Sequence, residues 1–286
     1  MTDARPQPTD VRPPLKWAGG KRWQVPLLRG YWETQSHRRL VEPFCGGLAV
    51  ALGLRPDRAL LNDLNPHVIN FYSWLKRGLV IDRPMANAPT DFYAARERFN
   101  GLLTEGSRDT AEAAGLFYYL NRTGYNGLCR FNRRGRFNVP FGRYARINYR
   151  RDFPEYRSAF ARWEFTNTAF ESLPLAPDDF VYADPPYDVQ FTQYSDVRFG
   201  WDEQVRTAER LSRHPGPVIL SNQATDRIRD LYLSLGFDLE EVEAPRRISC
   251  KGDRSPAMEV LATRNLERSS PRRQPAESES RTSART

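Results

Sequence analysis

At 286 residues the chain is long enough for one large or two modest domains, and a hydrophobic share of 40% is that of a protein with a real core. No apolar run approaches the ~18 residues needed to cross a membrane, and the opening MTDARPQPTD lacks the parts of a signal peptide, so no membrane partner is expected; a cytoplasmic location and a monomer in solution are expected as well. A formal charge of +8 favours a polyanionic partner, while Cys45, Cys129 and Cys250, far apart and with no Cys-x-x-Cys, point to neither a disulfide framework nor a metal site.

Residues 1–10 read as a polar, Pro-rich tail. The first motif is Lys16-Trp17-Ala18-Gly19-Gly20-Lys21. Its paired glycines let the backbone approach a ligand, Trp17 can stack on a purine, and Lys16 and Lys21 can meet carboxylate, phosphate or base edges. A turn packed by a Trp is the plainer reading of the same residues.

Arg39-Leu40-Val41 reads as a short strand running into Glu42-Pro43-Phe44-Cys45-Gly46-Gly47 and a helix through Leu48–Leu52. Strand, glycine turn and helix is the layout that carries a nucleoside at the carboxyl edge of a sheet, and the absence of GxGxxG argues against NAD. A second strand, Ala59–Asn62, ends at Asp63. An acid about 20 residues after Glu42 is placed to accept hydrogen bonds from ribose hydroxyls, although an Asp there can equally cap a helix.

Apolar spacing predicts helices over Pro66–Leu79, Asp91–Leu103 and Ala111–Leu120, which interrupt the strand–helix alternation until Trp163-Glu164-Phe165. This helical insertion, 66–152, ends in the most basic stretch of the ordered chain, Asn121 to Arg143, with a hairpin turn at Gly135 between Phe131 and Phe137. Its arginines can fork onto guanine, its asparagines can pair with adenine, and its aromatics can fill gaps in a base stack. A solvated basic hairpin is the bland alternative.

Phe180-Val181-Tyr182-Ala183 reads as a buried parallel strand, and Asp184-Pro185-Pro186-Tyr187 sits where it ends. Two prolines cannot extend a ladder, so they hold an acid and an aromatic rigidly in a turn. Asp184 offers a carboxylate acceptor, the Pro185 carbonyl a second, and the Tyr187 ring can stack on a nucleobase. Two acceptors aimed at the N–H groups of an aromatic amine pull its nitrogen towards a tetrahedral shape and free the lone pair to attack a sulfonium methyl. Beyond the turn, residues 191–194 read as a lid, 202–213 as a helix, 217–222 as a strand and 225–236 as a helix. Edge strands are expected at 237–242 and 258–262, with a disordered tail over 267–286.

In Lys16-Trp17-Ala18-Gly19-Gly20-Lys21, in Glu42-Pro43-Phe44 with Gly46, in a hairpin over 125–142 and in Asp184-Pro185-Pro186-Tyr187, the chain resembles the Dam family of DNA adenine-N6 methyltransferases over roughly 14–263. The resemblance implies an α/β, Rossmann-like, S-adenosylmethionine-dependent methyltransferase sheet, 11–65 plus 153–266, with an inserted mainly helical target-recognition domain carrying a β-hairpin. It implies transfer from S-adenosylmethionine, leaving S-adenosylhomocysteine, to N6 of a flipped-out adenine in double-stranded DNA at a GATC-like site, without a metal. It places Trp17, Gly19, Lys21, Glu42, Phe44, Gly46 and Asp63 around the donor, and Asp184, Pro185 and Tyr187 around the adenine. It places Lys16, Tyr125, Asn126, Leu128, Arg130, Arg133, Arg134, Asn138 and Arg143 on DNA, with Tyr125 as a wedge and Lys16 on the first guanine. The chain departs from the family pattern at Leu48, where a further glycine is usual, at Ala169 and Phe170, which leave Glu171 as the nearest acid, and in a short segment after Tyr187. A DNA-binding protein that has lost transfer, and a methyltransferase of protein glutamine or RNA adenine, are the competing readings.

Overall fold

The computed structural model describes residues 11–187, 199–245 and 257–266. Among them are seven strands: β1 (Leu40–Glu42), β2 (Ala59–Asn62), β3 (Trp163–Thr166), β4 (Phe180–Ala183), β5 (Val218–Gln223), β6 (Asp238–Ala244) and β7 (Ala257–Arg264). They form one sheet in the order β3-β2-β1-β4-β5-β7-β6. The first five are parallel, and β7 runs antiparallel to both β5 and β6. β1, β2 and β4 are buried at every position, as their short unbroken apolar runs require of parallel strands covered on both faces.

Alternate strand residues feed two cores. Leu40, Leu61, Phe180, Tyr182 and Ile219 pack with residues of α1 (Val25–Trp32), α2 (Ala49–Leu54) and α3 (Pro66–Arg77). Val41, Leu60, Val181, Ala183 and Val218 pack with α7 (Trp201–Ser212) and α8 (Asp226–Ser234). The further helices between β2 and β3, α4 (Pro89–Thr104), α5 (Ala111–Thr123) and α6 (Pro154–Ala159), extend the first core. Phe71 of α3 stacks on Tyr118 of α5 at 5.4 Å, and Tyr72 donates to the Gly46 carbonyl at 2.7 Å, so α3 grips both α5 and the turn after β1.

The expected pair of edge strands is half corrected. β7 lies inside the sheet, because Val260, Leu261 and Ala262 are buried and its main chain pairs on both sides. β6 is the edge, and its Asp238, Glu240, Glu241 and Glu243 suit that place, since charge on an edge strand discourages pairing with another chain. The lid expected at 191–194 and the tails 1–10 and 267–286 lie outside the described residues.

Candidate functional site

The carboxyl ends of β4, β1, β2 and β5 bring Asp184, Glu42, Asp63 and Ser221 to one edge of the sheet. Opposite, at the amino edge, a cavity of about 580 Å³ is lined by Arg39, Arg58, Arg162, Asp178 and Asp179. Four cationic and three anionic residues line it, two of them joined in the Arg39–Asp179 pair at 2.7 Å, and it holds none of the site residues named from sequence.

Asp184 is flanked by Lys21, whose Nζ lies 3.3 Å from Oδ1 and 3.4 Å from Glu259 Oε1, and which also donates to the Tyr187 hydroxyl. Lys21 keeps only 4% of its exposure, and Asp184 Oδ1 is buried at ion-pair distance from it with no hydrogen bond directed at it. Burial pushes the Asp184 carboxyl up to about 7, with Lys21 pulling down and the Glu259 carboxylate pushing further up. Burial likewise raises the Tyr187 hydroxyl, so it stays a neutral phenol. The turn itself is held from beneath: Gln204 of α7 donates to the Pro186 carbonyl at 2.7 Å, and Asn222 of β5 fixes Gln204 at 3.0 Å.

The turn after β1 is built on Trp17. A Cβ on Gly46 would come within 2.6 Å of the Trp17 indole nitrogen, and one on Gly47 within 2.7 Å of Trp17 Cβ, which is why both are glycine. Gly46 also has φ of +42°. Gly19, by contrast, is exposed at φ +77° with nothing near its Cβ position. Asp63 accepts the Gly46 amide at 2.9 Å and the Asn65 amide at 2.8 Å, one on each oxygen. Burial raises its carboxyl and those two amides hold the shift back. Glu42 is only 2% exposed, its Oε1 has no partner, and burial raises its pKa well above the ordinary value, opposed by a backbone hydrogen bond with Ala51 in the first turn of α2. Phe44 is half-buried against Phe170 at 5.6 Å and edge-on to Phe199 at 5.5 Å. Glu171 is turned away to Arg206, at 3.2 Å. Leu48 sits at φ +60°, the conformation a glycine would take, and is fully buried.

The hairpin forms around the Phe131–Phe137 bridge, with the Gly135 amide donating to the Asn132 carbonyl at 2.8 Å. It is narrower than 125–142, because Tyr125–Gly127 is a single 3₁₀ turn, closed at its base by the Gly124–Phe141 bridge. Tyr125, 51% exposed, and Asn126, at φ +52°, project from this turn, whereas Leu128 is half-buried against the core. Arg130 donates to Asn138 through Nε at 2.8 Å and Nη2 at 3.1 Å. Arg133, Arg134 and Arg143 are exposed, and Arg136 is paired with Glu97 at 2.6 Å.

Lys16 ties the first motif to the hairpin segment. Its backbone is clasped by Asn121, which accepts from Lys16 N and donates to Lys16 O, each at 2.8 Å, and which also donates to the Gly127 carbonyl at 3.0 Å. Its Nζ donates to the Arg122 carbonyl at 3.1 Å and lies 3.6 Å from the centre of the Tyr144 ring; burial and Arg122 lower its pKa. One motif therefore roots the hairpin through Lys16 and reaches Asp184 through Lys21.

Asn121, Gln24, Gln204 and Glu259 were not singled out from sequence. Gln24 donates to Ser221 at 2.9 Å and to Glu259 Oε2 at 3.1 Å, and accepts from Tyr182 at 2.9 Å. The available signal was polarity out of place: a Glu opening the apolar run of β7, and Ser-Asn ending that of β5.

A doubly wound parallel sheet closed by an antiparallel pair, with Asp-Pro-Pro-Tyr at the mouth of its central strand, defines a Rossmann-like methyltransferase. The model of the D12 class N6 adenine-specific DNA methyltransferases matches residues 17–248. The DNA adenine methylase of Escherichia coli K12 is 37% identical over 279 residues, covering 87% of this chain and 93% of that one. The retron Ec67 DNA adenine methylase of Escherichia coli is 35% identical over 263 residues, covering 87% and 90%. The DNA N-6-adenine-methyltransferase of Escherichia phage P1 is 34% identical over 266 residues, covering 86% of this chain, which spans only 34% of that longer protein. Among solved structures, a tRNA methyltransferase from Aquifex aeolicus has a TM-score of 0.36 at 11% identity, covering 91% of this chain and 72% of that one. The chain belongs to the D12 class and is an adenine-specific DNA methyltransferase acting at N6.

Proposed function

We propose that the chain transfers a methyl group from S-adenosylmethionine to the N6 amine of an adenine flipped out of duplex DNA, at a GATC-like site read by the 3₁₀ turn and hairpin of segment 124–143. The observation that carries this is the cluster at the mouth of β4. A buried carboxylate oxygen without a hydrogen-bond partner, the rigid Pro185 backbone and the Tyr187 ring are held together by Lys21. The residues 11–65 and 153–266 act as the catalytic part, and 66–152 as the target-recognition part.

The turn after β1 fits the donor. Asp63 uses one lone pair of each oxygen on backbone amides and keeps another for a ribose hydroxyl. The half-exposed Phe44, beside Phe170 and Phe199, offers an apolar slot for a flat ring, and Gly19 leaves open space beside Trp17. Glu42 serves by holding the start of α2, and thereby the glycine turn, more than by touching the donor. Leu48 takes the left-handed conformation itself, so the turn keeps its shape without a glycine, which favours a working transferase over one that only binds DNA.

When bound, the donor supplies a sulfonium whose methyl group leaves with its bonding pair left on sulfur. Asp184 and the Pro185 carbonyl accept the two amine hydrogens, which localises the nitrogen lone pair. Tyr187 stacks on the base. Base extrusion is required because a paired amine is unreachable inside the stack, and the exposed Tyr125 is shaped to fill the gap. After transfer the nitrogen carries a surplus proton, and Asp184, poised at about 7, takes it. Arg130, Asn126, Leu128 and Asn138 face bases, Lys16 faces the first guanine, and Arg133, Arg134 and Arg143 contact phosphates.

The test is labelled methyl transfer to duplex DNA, with methylation marks sequenced from cells expressing the chain. N6-methyladenine confined to one short motif is expected. Transfer to RNA or protein that duplex DNA does not compete away would overturn the assignment.

A further inference from the structure

Lys21 lies between two acids, not one. Its Nζ is 3.3 Å from Asp184 and 3.4 Å from Glu259, nearly midway, and it is almost wholly out of water. Glu259, 6% exposed on β7, is fixed by its other oxygen, which accepts from Gln24 at 3.1 Å. Gln24 is in turn locked between Ser221 and Tyr182. An ammonium facing a single buried carboxylate closes onto it in a direct charge-assisted hydrogen bond. Here Lys21 is shared: it donates to the Tyr187 hydroxyl and to Glu259 Oε1, these two partners hold it back, and Asp184 Oδ1 is left without a hydrogen bond.

We propose that Glu259 is a positioning residue for methyl transfer: as the competing counter-ion of Lys21, it keeps Asp184 from being neutralised by the lysine, so that the carboxylate is free to accept the target amine. This rests on the methyltransferase site described above. It gives a sequence-remote strand a role in the reaction, because β7 contributes the charge that decides where the Lys21 ammonium sits.

Among the described residues, the titratable groups acting on Asp184 are Lys21 before α1, Glu42 on β1, Tyr182 on β4, Tyr187 in the turn, Tyr232 on α8 and Glu259 on β7. Burial keeps the three tyrosines neutral and raises Glu42 far above its usual range. Among the described residues, Lys21 and Glu259 are therefore the charges that set the ionisation of Asp184. Removing the Glu259 charge removes a repulsion and releases Lys21 to Asp184, and both effects favour the ionised carboxylate.

The experiment is the pH dependence of kcat in Glu259→Gln and Glu259→Asp, with KM for duplex DNA and for the donor, and melting temperature. In Glu259→Gln the acid limb of kcat should move down by about one pH unit, and kcat at pH 8 should fall by at least about tenfold. Both KM values should stay within about threefold, because ground-state binding is not the step affected. Glu259→Asp, which keeps the charge but withdraws it, should move the limb the same way by less, and it serves where the glutamine variant does not fold. An unmoved acid limb, a limb displaced upward, or a fall in melting temperature with an unshifted profile would each overturn the proposal. Absence of transfer by the unsubstituted chain, or a full rate in Asp184→Asn, would overturn the transferase site and the role of Glu259 with it.

Discussion

Arg130 and Asn138 are joined across the hairpin, Nε to Oδ1 at 2.8 Å and Nη2 to the main-chain carbonyl at 3.1 Å. Two residues proposed as separate base contacts thus form one unit, in which Asn138 aims the guanidinium. A fork held in place loses less freedom on meeting guanine than a free side chain does.

Arg130→Ala should lower the preference for the cognate site over single-base variants by roughly 10- to 100-fold, the worth of one good bidentate contact. Asn138→Ala should produce a smaller loss in the same direction, since Arg130 loses its brace. Arg134→Ala should weaken all sequences alike and reduce the salt slope by about one. Methylation rates on single-base-variant duplexes, with binding at several salt concentrations, separate these outcomes. Equal weakening of every duplex by Arg130→Ala would make the hairpin a backbone clamp.

Asp184→Asn should abolish methylation, leave donor affinity largely intact by calorimetry, and stabilise the apoprotein. The folded carboxyl is raised from 3.8 to about 7, so the folded state holds the proton more tightly than the unfolded chain does. Stability contributed by that proton is lost as pH rises between those values and stays lost above them. The asparagine variant should therefore be more stable than the parent by about 1–3 kcal/mol at pH 8, and the gain should vanish near pH 4. Urea titrations at both pH values measure it. Equal stability of the two proteins at pH 8 would contradict the burial argument.

Asp63→Ala should weaken the donor by about 1–3 kcal/mol and also cost about 1–2 kcal/mol of stability, because the Gly46 and Asn65 amides lose their acceptor. Calorimetric donor affinity and melting temperature read the two effects separately. A loss of stability with unchanged donor affinity would leave Asp63 as a brace of the turn alone.

At position 48 glycine should match or exceed alanine. Either substitution forfeits about 2–3 kcal/mol of buried leucine, but only glycine escapes the left-handed strain of about 1 kcal/mol. Leu48 precedes α2; inside a helix glycine would be the worse by about the same amount. Urea midpoints of Leu48→Gly and Leu48→Ala decide it, and an alanine variant clearly the more stable would show that φ +60° is not strained here.

His67 stacks on Phe131 at 4.7 Å, tying α3 to the root of the hairpin. Burial, with Arg108, lowers its pKa from 6.5 to about 4. The folded state thus binds its proton later than the unfolded chain, and stability present above pH 6.5 is lost as pH falls towards 4. His67→Phe should remove much of this acid sensitivity, by about 1–3 kcal/mol at pH 5. Thermal melts between pH 5 and 8 test the difference in slope, and parallel curves for the two proteins would reject it.

Much of the site was legible because its parts are local. Asp184-Pro185-Pro186-Tyr187 follows an apolar strand, Gly46-Gly47 follows another, and Asp63 a third, and each is recognisable from a few neighbouring residues. The same holds for the hairpin, where glycine, aromatics and arginines lie within one short stretch.

By itself the sequence determined which chemical groups stand at the carboxyl ends of the strands, since strand and turn propensities act over a few residues. Only the tertiary structure decided which of them meet. Glu259 reaches Lys21 because β7 inserts between β5 and β6, a pairing set by burial on both faces and not by any local pattern. Asn121 clasps Lys16 from a residue 105 positions away, and Arg130 turns to Asn138 because the hairpin closes. A polar residue in an apolar run is visible in the chain, but its partner is not, because that depends on where buried polar groups meet once the core has formed.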